Sequence, residues 1–183
     1  MPKTSGKLVD LIRKDDPIVK YEGDGVAILR QKSKPVLSVT EDHAELAAQM
    51  ELIMRAANGV GLAAPQLGIH VRMFVYDAGD GFQAVLNPKI LQRKGTQLGV
   101  EGCLSMPGLY GDVERAQEVV VKGVDQFGKP LRIRADGLAA RVLQHENDHL
   151  DGVLFTDLAD HDSLHWASPG DAGEDGDARQ LRE

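Results

Sequence analysis

Cysteine is almost absent: Cys103 is the only one in 183 residues. No disulfide can close within the chain, which excludes the small cysteine-framed folds of secreted proteins. Long apolar runs are missing as well. None approaches the roughly 18 residues of a membrane span, so no transmembrane helix is expected. The opening residues, Met1-Pro2-Lys3-Thr4-Ser5-Gly6-Lys7, lead into no apolar core segment, and no signal peptide is expected. Cations are in deficit, 21 basic residues against 28 acidic ones, for a net charge of −7. That sign argues against coating nucleic acid or an anionic membrane. What is present is ordinary, 42% apolar and 27% charged residues. The length makes about one domain and buries about 70% of the unfolded surface. These features describe an acidic, single-domain cytoplasmic protein with one thiol of unexplained purpose.

The acidity is unevenly spread. Residues 157–183 hold eight acids and two arginines, −6 of the total −7. Pro169, Gly170, Gly173 and Gly176 deny this tail regular structure, and disorder is expected from about Ser168. Before it, a helix reads clearly from Thr40. Thr40 can cap it, and Glu41 and Asp42 suit its first turn. Leu46, Met50, Ile53 and Ala57 form an apolar stripe, and Asn58-Gly59 suits a left-handed end. Val71 to Tyr76 alternates like a half-buried strand, and Phe82 to Leu86 returns before Asn87-Pro88. Glu118 to Val124 and Leu131 to Ala135 read as a hairpin about Asp125-Gln126-Phe127-Gly128-Lys129. A second helix is expected from Asp136 to about Leu150, with Gly152 just beyond. Its stripe of Leu138, Val142, His145 and His149 puts both histidines on the buried face.

Those histidines belong to His145-Glu146-Asn147-Asp148-His149, an H-E-x-x-H sequence. Positions i and i+4 share one helix face, so two imidazoles can converge on one metal ion, with Glu146 in reach of a water beside it. A catalytic metal site needs a third protein ligand and an open position. Phe155 stands where one class of such sites carries a third histidine. Glu174 and Glu183 lie in the acidic tail, and His161 and His165 in an irregular setting. Cys103, within Glu101-Gly102-Cys103-Leu104-Ser105, is the other candidate; its thiolate favours softer ions such as ferrous iron or zinc. Pro107-Gly108 is expected to turn the chain just after it. The segment Gly59-Val60-Gly61-Leu62-Ala63-Ala64-Pro65-Gln66 reads as a loop. It lacks the glycine and lysine pattern of a phosphate cradle, but Gln66 offers an amide to a developing oxyanion.

These three segments, in this order, resemble the three motifs of the peptide deformylase family. The likeness covers about Ile18 to Asp157, including Leu29-Arg30 and Lys34-Pro35-Val36. The chain departs from the family at Gly25, where a proline usually follows Gly-Asp. The resemblance implies an α+β fold, with antiparallel β-sheets packed around a central helix carrying the H-E-x-x-H. It implies a metal-dependent hydrolase that removes the N-formyl group from the formylmethionine of nascent polypeptides and releases formate. Cys103, His145 and His149 become the ligands of one divalent ion, Fe2+ foremost, with Zn2+, Ni2+ or Co2+ as substitutes. Glu146 becomes the general acid and base, and Gln66 with the Leu104 N–H the oxyanion donors. Val60, Leu138 and Val142 are expected to wall the methionine pocket, with Arg141 at its border. The peptide is expected to pair with backbone near Val60-Gly61 and Gly102. Asp148, Gln144 and Glu101 are candidates to orient the ligands, Glu101 alternatively pairing with Arg115.

Residues 1–17 then read as an N-terminal extension, 18–167 as the catalytic domain and 168–183 as the acidic tail. The expected partner is an N-formylmethionyl peptide. A transient association with the ribosome would not use a basic C-terminal helix, and neither a nucleic-acid function nor a membrane is expected. Two other readings stand beside this one: an H-E-x-x-H endoprotease, and a metal-stabilised binding module without activity.

Overall fold

A computed structural model describes residues 6–167. Helix α1 spans Asp24–Arg30, α2 Glu41–Ala56 and α3 Gly137–Leu150. Strands β1 (Gly61–Ala63), β2 (Met73–Tyr76), β3 (Gln83–Lys94), β6 (Glu118–Val124) and β7 (Pro130–Asp136) form one antiparallel sheet in the order β1-β2-β3-β6-β7. Strands β4 (Gln97–Cys103), β5 (Met106–Arg115) and β8 (His165–Trp166) form a second, in the order β4-β5-β8. The fold is α+β, with the H-E-x-x-H on the helix between apolar and polar supports.

Helix α2 begins where its cap chemistry puts it. Thr40 is extended, and its N–H donates to His43 Nδ1 at 3.1 Å, so His43 fills the place usually taken by a glutamate. Asn58 ends the segment at φ +53, and the Gly59 N–H returns to Met54 O at 2.9 Å. Leu46, Met50 and Met54 are fully buried, each burial stabilising by about 1.5–3 kcal/mol. They pack on Met73 and Val75 of β2. The alternate residues, Phe74 and Tyr76, pack with Ala140, Leu143 and Leu150 of α3. Strand β2 is therefore buried on both faces instead of the expected one, because helices cover the five-stranded sheet from both sides.

Two boundaries differ from expectation. Strand β3 does not stop at Leu86 but continues through Asn87-Pro88 to Lys94, across a register shift between Leu86 and Lys89. Asn87 takes φ +50, and its amide both accepts from Val36 N–H and donates to Val36 O at 2.8 Å, supplying a side-chain rung where the ladder breaks. Pro107-Gly108 lies inside β5 and makes no turn; the reversal falls at Leu104-Ser105, where Cys103 pairs with Met106. At the family's proline position, Gly25 sits in α1 with no room for a side chain. A Cβ there would lie 2.0 Å from Lys20 O.

The far end of α3 is fastened to the end of α1. The Ser33 N–H donates to Leu150 O at 2.9 Å. Gly152, at φ +73, lets the backbones close, since a Cβ there would lie 2.2 Å from Arg30 O. The side chains of Leu8, Val9 and Ile12 pack against the α2 core, so part of the expected extension joins it. The expected disorder from Ser168 lies outside the described residues.

Candidate metal centre

Helix α3 brings two donors together. His145 and His149 stand one turn apart, ring centroids 5.0 Å apart and Nε2 atoms 3.2 Å apart. The third donor comes from the β4–β5 turn, where Cys103 Sγ lies 3.3 Å from His149 Nε2. All three donor atoms fall within 4.8 Å of one another. His145 Nδ1 is 2.9 Å from Glu101 Oε2, which assigns a proton to Nδ1 and leaves Nε2 toward the other two donors. Two imidazole nitrogens and a thiolate converging this closely fit a borderline-soft divalent cation. Burial alone would raise the Cys103 thiol; the His149 and His145 rings outweigh it and bring it down to about 5.

The other proposed third ligands are not brought here. Phe155 stacks on His145, ring centroids 6.4 Å apart. His161 is exposed, and the exposed His165 turns its Nδ1 to Ser163 O. Glu174 and Glu183 lie outside the described residues.

Glu146 is buried with Oε2 unpartnered. Its other oxygen faces β1, where a Cβ on Gly61 would lie 2.2 Å from Oε1; glycine is required there. Burial pushes the carboxyl up to about 7, against the opposing pull of the His145 and His149 rings. A carboxyl poised near neutrality can both take and return a proton.

The glycine-rich segment is ordered: β1, then a buried 3-10 turn over Ala64–Leu67. The Ala63 N–H can only donate, and it donates to Gln66 Oε1 at 2.9 Å. That fixes the amide orientation. Gln66 Nε2 faces Ser105 Oγ at 3.1 Å and Cys103 Sγ at 3.5 Å. Ser105 was not singled out from sequence; its place two residues after Cys103 was the available signal. Leu104 follows Cys103 directly in the turn, its side chain 2.8 Å from where a Gly59 Cβ would sit.

Strands β1 and β4 are edge strands of their sheets, carrying Gly61 and Gly102. Val60, just before β1, is 45% exposed, while Val142 is buried and Leu138 half-buried in the core beside α3. A Cβ on Gly102 would lie 2.8 Å from the Tyr110 ring.

Glu101 takes both roles anticipated for it. It holds His145 and pairs with Arg115 through Nε at 2.8 Å and Nη2 at 2.9 Å. Burial would raise its pKa, but Arg115 and His145 hold it well below the carboxylate range. Asp148 pairs with Arg115 and not with a ligand. Gln144 also turns away, bonding Ala116 N–H and O, so it ties α3 to the β5–β6 link. Arg141, expected at the border of the methionine pocket, is buried against Glu101.

An α+β fold that presents a helix-borne H-E-x-x-H beside a thiol, between two free sheet edges, has the design of a metal-dependent hydrolase. Known proteins narrow the class. A family model described as polypeptide deformylase matches residues 16–164. The peptide deformylase of Carboxydothermus hydrogenoformans is 45% identical over 137 residues, covering 75% of this chain and 90% of that one. The crystal structure of a peptide deformylase from Legionella pneumophila aligns with TM-score 0.74 at 41% identity, over 82% of this chain and 87% of that one. One from Synechococcus elongatus, in complex with actinonin, aligns with TM-score 0.75 at 39% identity, over 81% and 82%. The chain belongs to the peptide deformylase family, whose members are metalloenzymes.

Proposed function

We infer that the chain removes the N-formyl group from the N-terminal formylmethionine of nascent polypeptides and releases formate. The carrying observation is the convergence of Cys103, His145 and His149 within 4.8 Å, beside the buried Glu146. These three residues hold one divalent cation, ferrous iron in the resident enzyme, with zinc, nickel or cobalt able to replace it. When bound, that cation supplies Lewis acidity, making water more acidic and the formyl carbonyl more electrophilic.

The chain's own residues do the rest. Glu146 takes a proton from the attacking water and returns it to the leaving amine. Gln66 Nε2 and the Leu104 N–H donate to the formyl oxygen as negative charge develops on it. The peptide adds as an extended strand between the edges at Val60-Gly61 and Gly102, with its methionine toward Val60, Leu138 and Val142. Residues 18–167 form the catalytic unit, acting in the cytoplasm on chains that leave the ribosome. Contact with the ribosome is transient and does not run through a basic C-terminal helix, since residues 157–183 are acidic.

Anaerobic purification with metal analysis, coupled to formate release from formyl-Met-Ala-Ser, tests this reading. The expected result is one ion per chain and formate from the formyl peptide. An N-acetylated analogue and casein should stay intact. No formate from fully iron-loaded protein overturns the assignment, and cleaved casein favours an endoprotease.

A further inference from the structure

Arg141 stands one turn before His145 on α3, yet its guanidinium lies under β4. Nη1 donates to Glu101 Oε1 at 2.8 Å and to Val113 O at 2.9 Å, and Nη2 donates to Gln97 O at 3.2 Å. A side chain at residue 99 would press on it. A Cβ on Gly99 would lie 3.0 Å from Nη2 and 3.2 Å from Cζ. The guanidinium is seated against a strand position that has no side chain, and only 7% of Arg141 is exposed.

Glu101 already has a bidentate partner in Arg115, so a second buried cation needs a reason. Arg115 is divided, because it also pairs with Asp148. Among the described residues Arg141 pairs with no acid but Glu101. Together they balance the buried Glu101 and the half-buried Asp148 with two buried guanidiniums, where an uncompensated charge is costly. The contacts on Glu101 are also complete. Oε1 accepts from Arg115 Nε and Arg141 Nη1, and Oε2 from Arg115 Nη2 and His145 Nδ1. A carboxylate offers about four acceptor sites, so this one cannot turn without breaking a bond.

We propose that Arg141, seated in the slot that Gly99 leaves open, is a positioning residue for the metal ligand His145 and acts through Glu101. This rests on His145 being a metal ligand, as inferred above. With four donors on it, the Glu101 carboxylate keeps one orientation and holds the His145 N–H along one direction. The plane of the ring is thereby fixed. Without Arg141, Oε1 loses one of its two donors, and three bonds hold the carboxylate in place of four.

The test is release of cobalt(II) from the cobalt-loaded full-length protein into excess EDTA, followed by its visible absorption bands. Arg141→Met is expected to release cobalt about 10–100-fold faster, the range found for groups that orient ligands, with shifted bands. Arg141→Lys, which keeps the charge, should fall between. Met50→Ala, a cavity in α2, should lower Tm and leave release and bands as in wild type. A folded Arg141→Met with wild-type release and bands overturns the proposal, as does equal acceleration in Met50→Ala. If Arg141→Met does not fold, Gly99→Ala decides. Its Cβ presses on Nη2 and should speed release severalfold, and a wild-type rate overturns the proposal. Wild-type protein that takes up no cobalt overturns the metal assignment itself, a distinct result.

Discussion

Helix α3 meets the two sheets by different physics. Toward the five-stranded sheet it presents Ala140, Leu143 and Leu150, buried among Phe74, Val85, Val119 and Val121. Toward the three-stranded sheet it presents Arg141, His145 and Asp148, tied to Glu101 and Arg115 by ion pairs and hydrogen bonds. Apolar contact is strong but has no preferred direction. It sets where the helix lies and tolerates modest changes of shape. Charge-assisted hydrogen bonds are directional, and they set the angle of a ring. The two histidines show the same contrast. His145 is gripped at Nδ1 by a carboxylate, whereas His149 is 1% exposed with Nδ1 unpartnered and is held by packing. A metal site on one helix thus needs one support that places it and another that aims it.

Glu146 belongs to neither support: it is buried and unpartnered at Oε2. Glu146→Gln should therefore lower kcat for formyl-Met-Ala-Ser by about 10²–10⁴. Bound metal should stay at the wild-type ratio; its loss would move Glu146 to the ionic support. Next in size is Glu101→Leu, which leaves Arg115 and Arg141 buried without their shared acid. It should destabilise by about 3–5 kcal/mol in urea unfolding. Gln66→Ala tests the neutral side of the site. It should cost about 10²–10³ in kcat with metal retained, and a near-normal kcat would remove Gln66 from oxyanion stabilisation. On the apolar support, Leu143→Met should cost less than about 1.5 kcal/mol. Glu101→Leu costing no more than Leu143→Met would break the contrast between the two sheets.

The smallest effect belongs to the surface pair of Arg30 and Asp157. Hydrogen bonding to Arg30 lowers the Asp157 carboxyl below its usual value. Its stabilisation is present above the unfolded aspartate value, about 3.9, and fades as pH falls through the lowered folded one. Both groups are about a third exposed, so Asp157→Asn should cost about 1 kcal/mol or less at pH 7, and less at pH 2 than at pH 7. Urea midpoints at the two pH values check the sign.

The parts legible in the sequence are those governed by local period. The α2 and α3 stripes follow from 3.6-residue spacing, the β6–β7 hairpin from alternation around a turn, and the pairing of His145 with His149 from i,i+4 geometry. Strands β4 and β5 were not legible, and β4 shows why. Its apolar residues, Leu98 and Val100, point outward at 70% and 59% exposure, while Gly99 and Glu101 point inward. The usual alternation is inverted, because an arginine from a helix some 40 residues away occupies the inner space.

By itself, then, the sequence determined which residues could meet a metal from one helix face, since a helix brings i and i+4 together wherever it lies. Its three motifs, in order, pointed to the family. Only the tertiary structure shows the Cys103 thiol beside the two histidines, the Gln66 amide turned inward and Arg141 beneath Gly99. Each depends on packing between segments distant in sequence, and no local period encodes that.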